Sequence, residues 1–283
     1  MRVFRVIIII IFVACLGLYA GTGVREKIRN DGSAPVIHSD RDVLELSVSD
    51  PPEKLLEGLT AGDEEDGDLT DSIMVSGTSY FVEKGEATVT YVVFDSDNKS
   101  GTLRRDIHYT DYCSPEFFLT QPLVFPVNSS EDFLDYVQAS DVLDGDITDK
   151  VRMSGTTIDT TTAGVYPITL EVTNSCGDRA LVNTNVVIRD TNISGSIALT
   201  NYLVYIDRGS QFDPGNYVDY ITISDGSRLE TEGLEIYENG YFLTDIQVSG
   251  EVNTENPGSY QVEYTYSTSR SQGSAWLTVV VRE

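Results

Sequence analysis

Residues 166–173 read YPITLEVT, and the alternation within this stretch decides the fold class. Large apolar side chains recur at every second position from Tyr166 to Val172, with Pro, Thr and Glu between them. Successive side chains of a strand point to opposite faces of a sheet, so the pattern predicts an antiparallel strand with one buried face. The runs TVTYVVF (88–94) and YQVEYTYS (260–267) alternate in the same way. We therefore expect an all-β protein.

These three strands occupy equivalent places in a longer repeat. The phrases LTDSIMVSG (69–77), ITDKVRMSG (147–155) and LTDIQVSG (243–250) each precede one of them. A unit of roughly 75–90 residues suits an immunoglobulin-like sandwich of about seven strands. The sequence predicts three tandem sandwiches, at residues 34–112, 113–191 and 192–283, of which the third is divergent.

The first 24 residues, MRVFRVIIIIIFVACLGLYAGTGV, differ from everything that follows. Nineteen apolar residues in a helix span roughly 28 Å, about one hydrocarbon core. Residues 1–24 are predicted to be a transmembrane signal anchor, with a cleaved signal peptide or a lipobox at Cys15 as alternatives, and residues 25–33 to be a linker. All three alternatives place the remaining chain outside the cytoplasm. We expect a single-pass cell-membrane protein with an extracellular C-terminal region, or a secreted one if the signal is cleaved.

The chain is strongly acidic, with 45 Asp and Glu against 19 Lys and Arg and a formal net charge of −26. Such a field repels nucleic-acid phosphates and anionic lipid headgroups. Apart from the membrane contact of its N-terminal segment, the chain is therefore expected to meet an extracellular protein or glycan, and no nucleic acid.

An acidic phrase occurs twice, as GDEEDGDLTDSIMVSG (62–77) and DVLDGDITDKVRMSG (141–155). Calcium prefers six to eight oxygen ligands, which closely spaced carboxylates can supply. Asp and Gly also stabilise tight turns without any metal. No cofactor is required by the sequence, but Ca²⁺ stays open, with these candidate ligands: Asp63, Asp66, Asp68, Asp141, Asp144 and Asp146.

The phrase DGD-[LI]-T, a following Gly, and then G-x-Y before an alternating strand resemble the bacterial immunoglobulin-like domains of Gram-positive surface proteins. That group includes Ig-like domains of unknown function akin to hyalin-type repeats. The resemblance covers residues 34–190 well, and the third unit lacks DGD. It implies surface-exposed sandwiches that act as spacers or adhesive modules without catalytic activity.

Two cysteines in the second unit are candidates for a disulfide. Cys113 begins the unit, and Cys176 lies in the turn of its last hairpin. In an Ig-like sandwich both places lie at the same end, and an extracytoplasmic location permits the bond. The alternative is two free thiols.

Tyrosines are frequent in the third unit, where they either fill the core or form a contact surface. Tyr237, Tyr241 and Phe242 are the candidate binding residues.

Catalytic motifs such as G-x-S-x-G, H-E-x-x-H and C-x-x-C do not occur, and the chain has only two histidines. The sequence therefore predicts a non-catalytic, membrane-tethered stalk or adhesion ectodomain. The rival hypothesis is an accessory or binding subunit of a carbohydrate-active enzyme system of the cell envelope.

Overall fold

The structure, a computed structural model, describes residues 33–190, 195–223, 226, 228–230, 237–238, 241–242, 246–267 and 271–283. The predicted anchor at residues 1–24 lies outside this set and stays a prediction. Within these ranges, no helix is both long and apolar enough to cross a membrane.

The chain divides into two compact units, the first ending at Tyr112 and the second beginning at Cys113. The first unit holds one sandwich, called here the first sandwich. Its strands are β1 (Val36–Ser39), β2 (Val43–Leu46), β3 (Leu59–Asp63), β4 (Gly67–Asp68), β5 (Met74–Thr78), β6 (Glu86–Phe94) and β7 (Ser100–Tyr109). One sheet has the order β1-β3-β4, and the other has the order β2-β7-β6-β5.

The second unit holds two sandwiches, called here the middle and the C-terminal sandwich. The middle sandwich repeats the topology of the first, with sheets β8-β10-β11 and β9-β14-β13-β12. Its strands are β8 (Glu116–Leu119), β9 (Val124–Pro126), β10 (Val137–Asp141), β11 (Gly145–Asp146), β12 (Arg152–Gly155), β13 (Gly164–Thr173) and β14 (Arg179–Arg189).

The C-terminal sandwich pairs a three-stranded sheet, β15-β17-β18, with a four-stranded sheet, β16-β23-β22-β21, and adds the hairpin β19-β20. Its strands are β15 (Ser196–Leu199), β16 (Leu203–Asp207), β17 (Val218–Thr222), β18 (Arg228–Glu230), β19 (Tyr237–Glu238), β20 (Tyr241–Phe242), β21 (Gln247–Ser249), β22 (Gly258–Ser267) and β23 (Gln272–Arg282).

Each sandwich has its own apolar core, built from the alternating strands that the sequence singled out. In β13, Ile168, Leu170 and Val172 are at most 3% exposed. The all-β sandwich prediction is therefore confirmed. Burial of these side chains away from water provides the main stabilising term.

Two tyrosines secure the entry to the penultimate strand of their sandwich. Tyr166 donates its hydroxyl hydrogen to the Thr162 carbonyl at 2.8 Å, and Tyr260 donates to the Asn256 carbonyl at 2.8 Å. These contacts confirm the tyrosine corner that the G-x-Y spacing predicts.

In all three sandwiches, the short second strand runs parallel to the last strand. The pairs are β2 with β7, β9 with β14, and β16 with β23. In the middle sandwich this pairing covers only Val187 to Arg189 of β14, so the preceding part of that strand is left without a strand neighbour on that side.

Candidate functional site

The first acidic phrase forms a tight hairpin between β3 and β4. The Asp63 Oδ1 atom accepts hydrogen bonds from the backbone N–H groups of Glu65 and Asp66, at 2.9 and 3.1 Å. Gly67 has φ of +74°, a left-handed conformation that favours glycine. Asp68 Oδ1 accepts from the Thr70 N–H at 3.0 Å, and a 3-10 turn spans Thr70–Ser72. The strand that follows this turn, β5, starts at Met74.

The second acidic phrase has the same geometry. Asp141 Oδ1 accepts from the N–H groups of Leu143 and Asp144, each at 3.0 Å, and Gly145 has φ of +72°. Asp146 Oδ1 accepts from the Thr148 N–H at 3.0 Å. The hydrogen bonds from Thr148 hold the pKa of the Asp146 carboxyl below its usual value.

In the first and middle sandwiches, the following hairpin donates hydrogen bonds to the carboxylates of the acidic loop. The Ser96 N–H donates to Asp66 at 2.6 Å, and the Ser175 N–H donates to Asp144 at 2.7 Å. The Lys150 ammonium also lies 2.9 Å from Asp144. Within the described ranges, no group of three or more Asp, Glu, His or Cys side chains is arranged to hold a metal ion. The observed contacts are those of a turn, and the calcium hypothesis stays a prediction.

The predicted disulfide is not formed in the structure. Cys113 is a free, exposed thiol and Cys176 is a free, half-buried one. Burial raises the pKa of the Cys176 thiol, and the nearby Asp144 carboxylate raises it further. The hydroxyl of Ser175, at 4.0 Å, is the neighbour of Cys176 Sγ.

The predicted binding residues Tyr237, Tyr241 and Phe242 lie on β19 and β20. Tyr237 pairs with Phe242 across this two-stranded hairpin. Their side chains lie outside the described part of the chain, so a binding role stays a prediction.

An interface that the sequence did not reveal joins the middle and C-terminal sandwiches. The unpaired edge of β14 is covered at Asn183 by side chains of β22. The Asn183 N–H donates to the Ser259 hydroxyl at 3.2 Å, and Gln261 Nε2 donates to the Asn183 carbonyl at 3.0 Å. The hydroxyls of Thr184 and Thr278 meet at 2.7 Å beside them. An open strand edge, which otherwise invites pairing with another chain, is thereby capped.

The apolar part of this interface completes the core of the middle sandwich. Leu203 of β16 is 7% exposed and belongs to that core, and Tyr205 and Val280 pack against it. The Phe117 N–H donates to the Tyr205 hydroxyl at 2.7 Å, and burial raises the pKa of Tyr205 to about 12. Arg282 joins Glu116 at 2.5 Å at the rim. The C-terminal sandwich thus contributes side chains to the core of the middle sandwich.

Sequence comparison relates these two sandwiches to a known group of domains. The family described as "Bacterial surface protein, Ig-like domain" matches residues 127–188 and 205–281. The matched segments contain β13 and all but the last residue of β14 in the middle sandwich, and β22 and all but the last residue of β23 in the C-terminal one.

Curated relatives are much longer than this chain. The pesticidal crystal protein Cry22Aa of Bacillus thuringiensis is 30% identical over 211 residues, which is 72% of this chain and 27% of that protein. An uncharacterised 81.3 kDa protein of Acholeplasma phage L2 is 27% identical over 187 residues, or 65% of this chain and 23% of that protein. The chain therefore spans about a quarter of the length of these relatives.

Solved structures show only distant likeness. A Clostridium perfringens ZmpB structure titled for CBM51-2 in complex with GlcNAc and INT domains has 20% identity and a TM-score of 0.23, over 52% of this chain and 26% of that one. Drosophila N-cadherin EC1-4 has 13% identity and a TM-score of 0.22, over 88% of this chain and 66% of that one.

Proposed function

We propose that this chain is a non-catalytic cell-surface protein, since residues 127–188 and 205–281 belong to the Ig-like domain family of bacterial surface proteins. Its sandwiches serve as a spacer that presents a binding surface, and the segment 1–24 tethers them to the membrane. The net charge of −26 keeps such a protein soluble and away from anionic surfaces.

The observation that carries this proposal is the interface between the middle and C-terminal sandwiches. Flexibly linked domains are the default expectation unless the interface between them is large and apolar. Here one sandwich supplies Leu203 to the core of the other, and Gln261 caps its strand edge. Such contacts support a spacer in which the middle and C-terminal sandwiches are held together.

Accessibility on intact cells tests the proposed location. The full chain is produced in a Gram-positive host with an epitope tag after Glu283. The intact cells and, separately, the lysed cells are then treated with a biotin reagent that does not cross membranes. We expect labelling of the intact cells and recovery in the membrane fraction. Labelling only after lysis would contradict the surface role.

A further inference from the structure

An open pocket with a volume of about 740 Å³ lies at one end of the C-terminal sandwich. It is formed between the loop after β16 and the loop before β22. The half-buried Phe212 and the exposed residues Gln211, Asp213 and Asn216 line it, and Thr254 lines it from the other loop.

The same loop scaffold occurs in the middle sandwich, which provides an internal comparison. The Gly209 N–H donates to the Thr254 carbonyl at 2.8 Å, and the Asn128 N–H donates to the Thr160 carbonyl at 2.7 Å. Both residues have a left-handed backbone conformation, with φ of +75° at Gly209 and +65° at Asn128. Counted from these residues, the segment 209–218 aligns with 128–137 without a gap.

This scaffold also places an equivalent aspartate in both loops. Asp213 Oδ1 accepts from the Gly215 N–H at 2.9 Å, and Asp132 Oδ1 accepts from the Leu134 N–H at 3.0 Å. The backbone of the loop is therefore explained by folding alone, and the differences between the two copies lie in the side chains that it presents.

Two side chains change from acidic to uncharged between the copies. Glu131, which accepts a hydrogen bond from the Tyr136 hydroxyl, is replaced by Phe212. Asp135 is replaced by Asn216. The Phe212 ring stacks on Tyr217, with ring centroids 5.6 Å apart and planes inclined by 26°. In a chain this acidic, the C-terminal loop instead offers an aromatic ring and uncharged amides.

We propose that this pocket binds a neutral carbohydrate. The C–H face of a pyranose ring packs on an aromatic ring. The half-buried Phe212, which stacks on Tyr217 and packs against the core of the C-terminal sandwich, offers the exposed part of its ring for this contact. Amide groups both donate and accept hydrogen bonds, and each carboxylate oxygen can accept more than one, which suits the vicinal hydroxyl groups of a sugar. The lining is mostly polar, with Phe212 and Val252 as its apolar side chains.

The charge of the site selects against acidic sugars. Asp213 lies at the pocket, and the chain as a whole carries a net charge of −26. A uronate or a phosphorylated sugar would meet repulsion from both. The inference goes beyond the proposed surface role and does not depend on it, because binding is measured on the isolated protein.

The test is a saturation-transfer NMR titration of the full chain, held in a detergent without a sugar headgroup. The probes are glucose, N-acetylglucosamine, their β-linked trimers and glucuronate. We expect saturable binding of at least one neutral probe and at least tenfold weaker binding of glucuronate. Failure of every neutral probe to saturate, or equal binding of glucuronate, would overturn the proposal.

Two variants and a matched control localise the binding. Phe212→Ala removes the aromatic ring. Asn216→Asp introduces the aspartate that the middle sandwich has at the equivalent position, Asp135, and because Asn216 is exposed this change should not affect folding. Both variants are expected to lower the affinity for the neutral probe at least tenfold. Asp135→Asn makes the reverse change at the equivalent place in the middle sandwich and should leave binding unchanged. An unaltered affinity in Asn216→Asp would remove the pocket as the site.

Discussion

The substitution Leu203→Ala tests whether the C-terminal sandwich completes the core of its neighbour. Leu203 belongs by sequence to β16, yet its side chain is 7% exposed within the core of the middle sandwich. Truncating a buried leucine to alanine costs about 3 kcal/mol or somewhat more, from lost transfer energy and the cavity that remains. For a unit of this size, 1 kcal/mol shifts the melting temperature by about 2–4 °C, so a fall of about 6–12 °C is expected.

The location of the effect is more informative than its size. Amide hydrogen exchange, followed by mass spectrometry on the full chain, should show faster exchange in β13 (Gly164–Thr173), which lies in the middle sandwich and not beside Leu203 in sequence. Leu44→Ala is the matched control, since Leu44 is 1% exposed in the core of the first sandwich, in the other compact unit. If β13 keeps its wild-type protection in Leu203→Ala while only β22 and β23 lose theirs, the reasoning about a shared core is refuted.

Four further outcomes are expected. Gln261→Ala removes the side chain that donates to the Asn183 carbonyl on the β14 edge. The free energy of unfolding, measured by urea titration, should fall by about 1–2 kcal/mol. An unchanged midpoint would mean that water fully replaces this hydrogen bond. Calcium against a chelator should leave the melting temperature unchanged if the acidic loops are turns, and a rise with calcium would establish the metal site instead. The pKa of Asp146 is lower in the folded protein than its ordinary value of 3.8. The stabilisation from its ionised carboxylate is therefore present above that value and is lost as the pH falls through the folded pKa. Because asparagine does not titrate, Asp146→Asn should flatten the fall in melting temperature between about pH 5 and pH 2, the range around the usual carboxyl pKa of about 4. Maleimide should label the exposed Cys113 faster than Cys176, whose raised pKa leaves less thiolate, and recovery of the two as one bridged peptide would contradict the free thiols.

The core of each sandwich is predictable from the sequence because it depends on a local pattern. Alternation places Ile168, Leu170 and Val172 on one face, and the structure buries all three. The tyrosine corners follow from a spacing of two residues after a glycine. Such features involve only neighbouring residues, and periodicity reads them directly.

The interface was not predictable in the same way. Gln261 and Asn183 lie 78 residues apart and on the polar faces of their strands, where hydrophobic alternation carries no information. The candidate pocket was not predictable from the alternation either, because its side chains lie between strands, where no period applies. Its signal is the change from Glu131 and Asp135 in the middle sandwich to Phe212 and Asn216 at the equivalent positions of the C-terminal one.

The parallel pairing of the second and last strands has a mechanical consequence. When tension is applied along the chain, β16 is pulled from its start and β23 from its end, and because the two run in the same direction they are sheared past each other. The hydrogen bonds that join Leu203–Asp207 to Thr278–Arg282 are then loaded together and are not opened one after another. The same geometry recurs in β2 with β7 and in β9 with β14. Each sandwich is therefore expected to resist stretching far better than an arrangement in which the same hydrogen bonds open one after another.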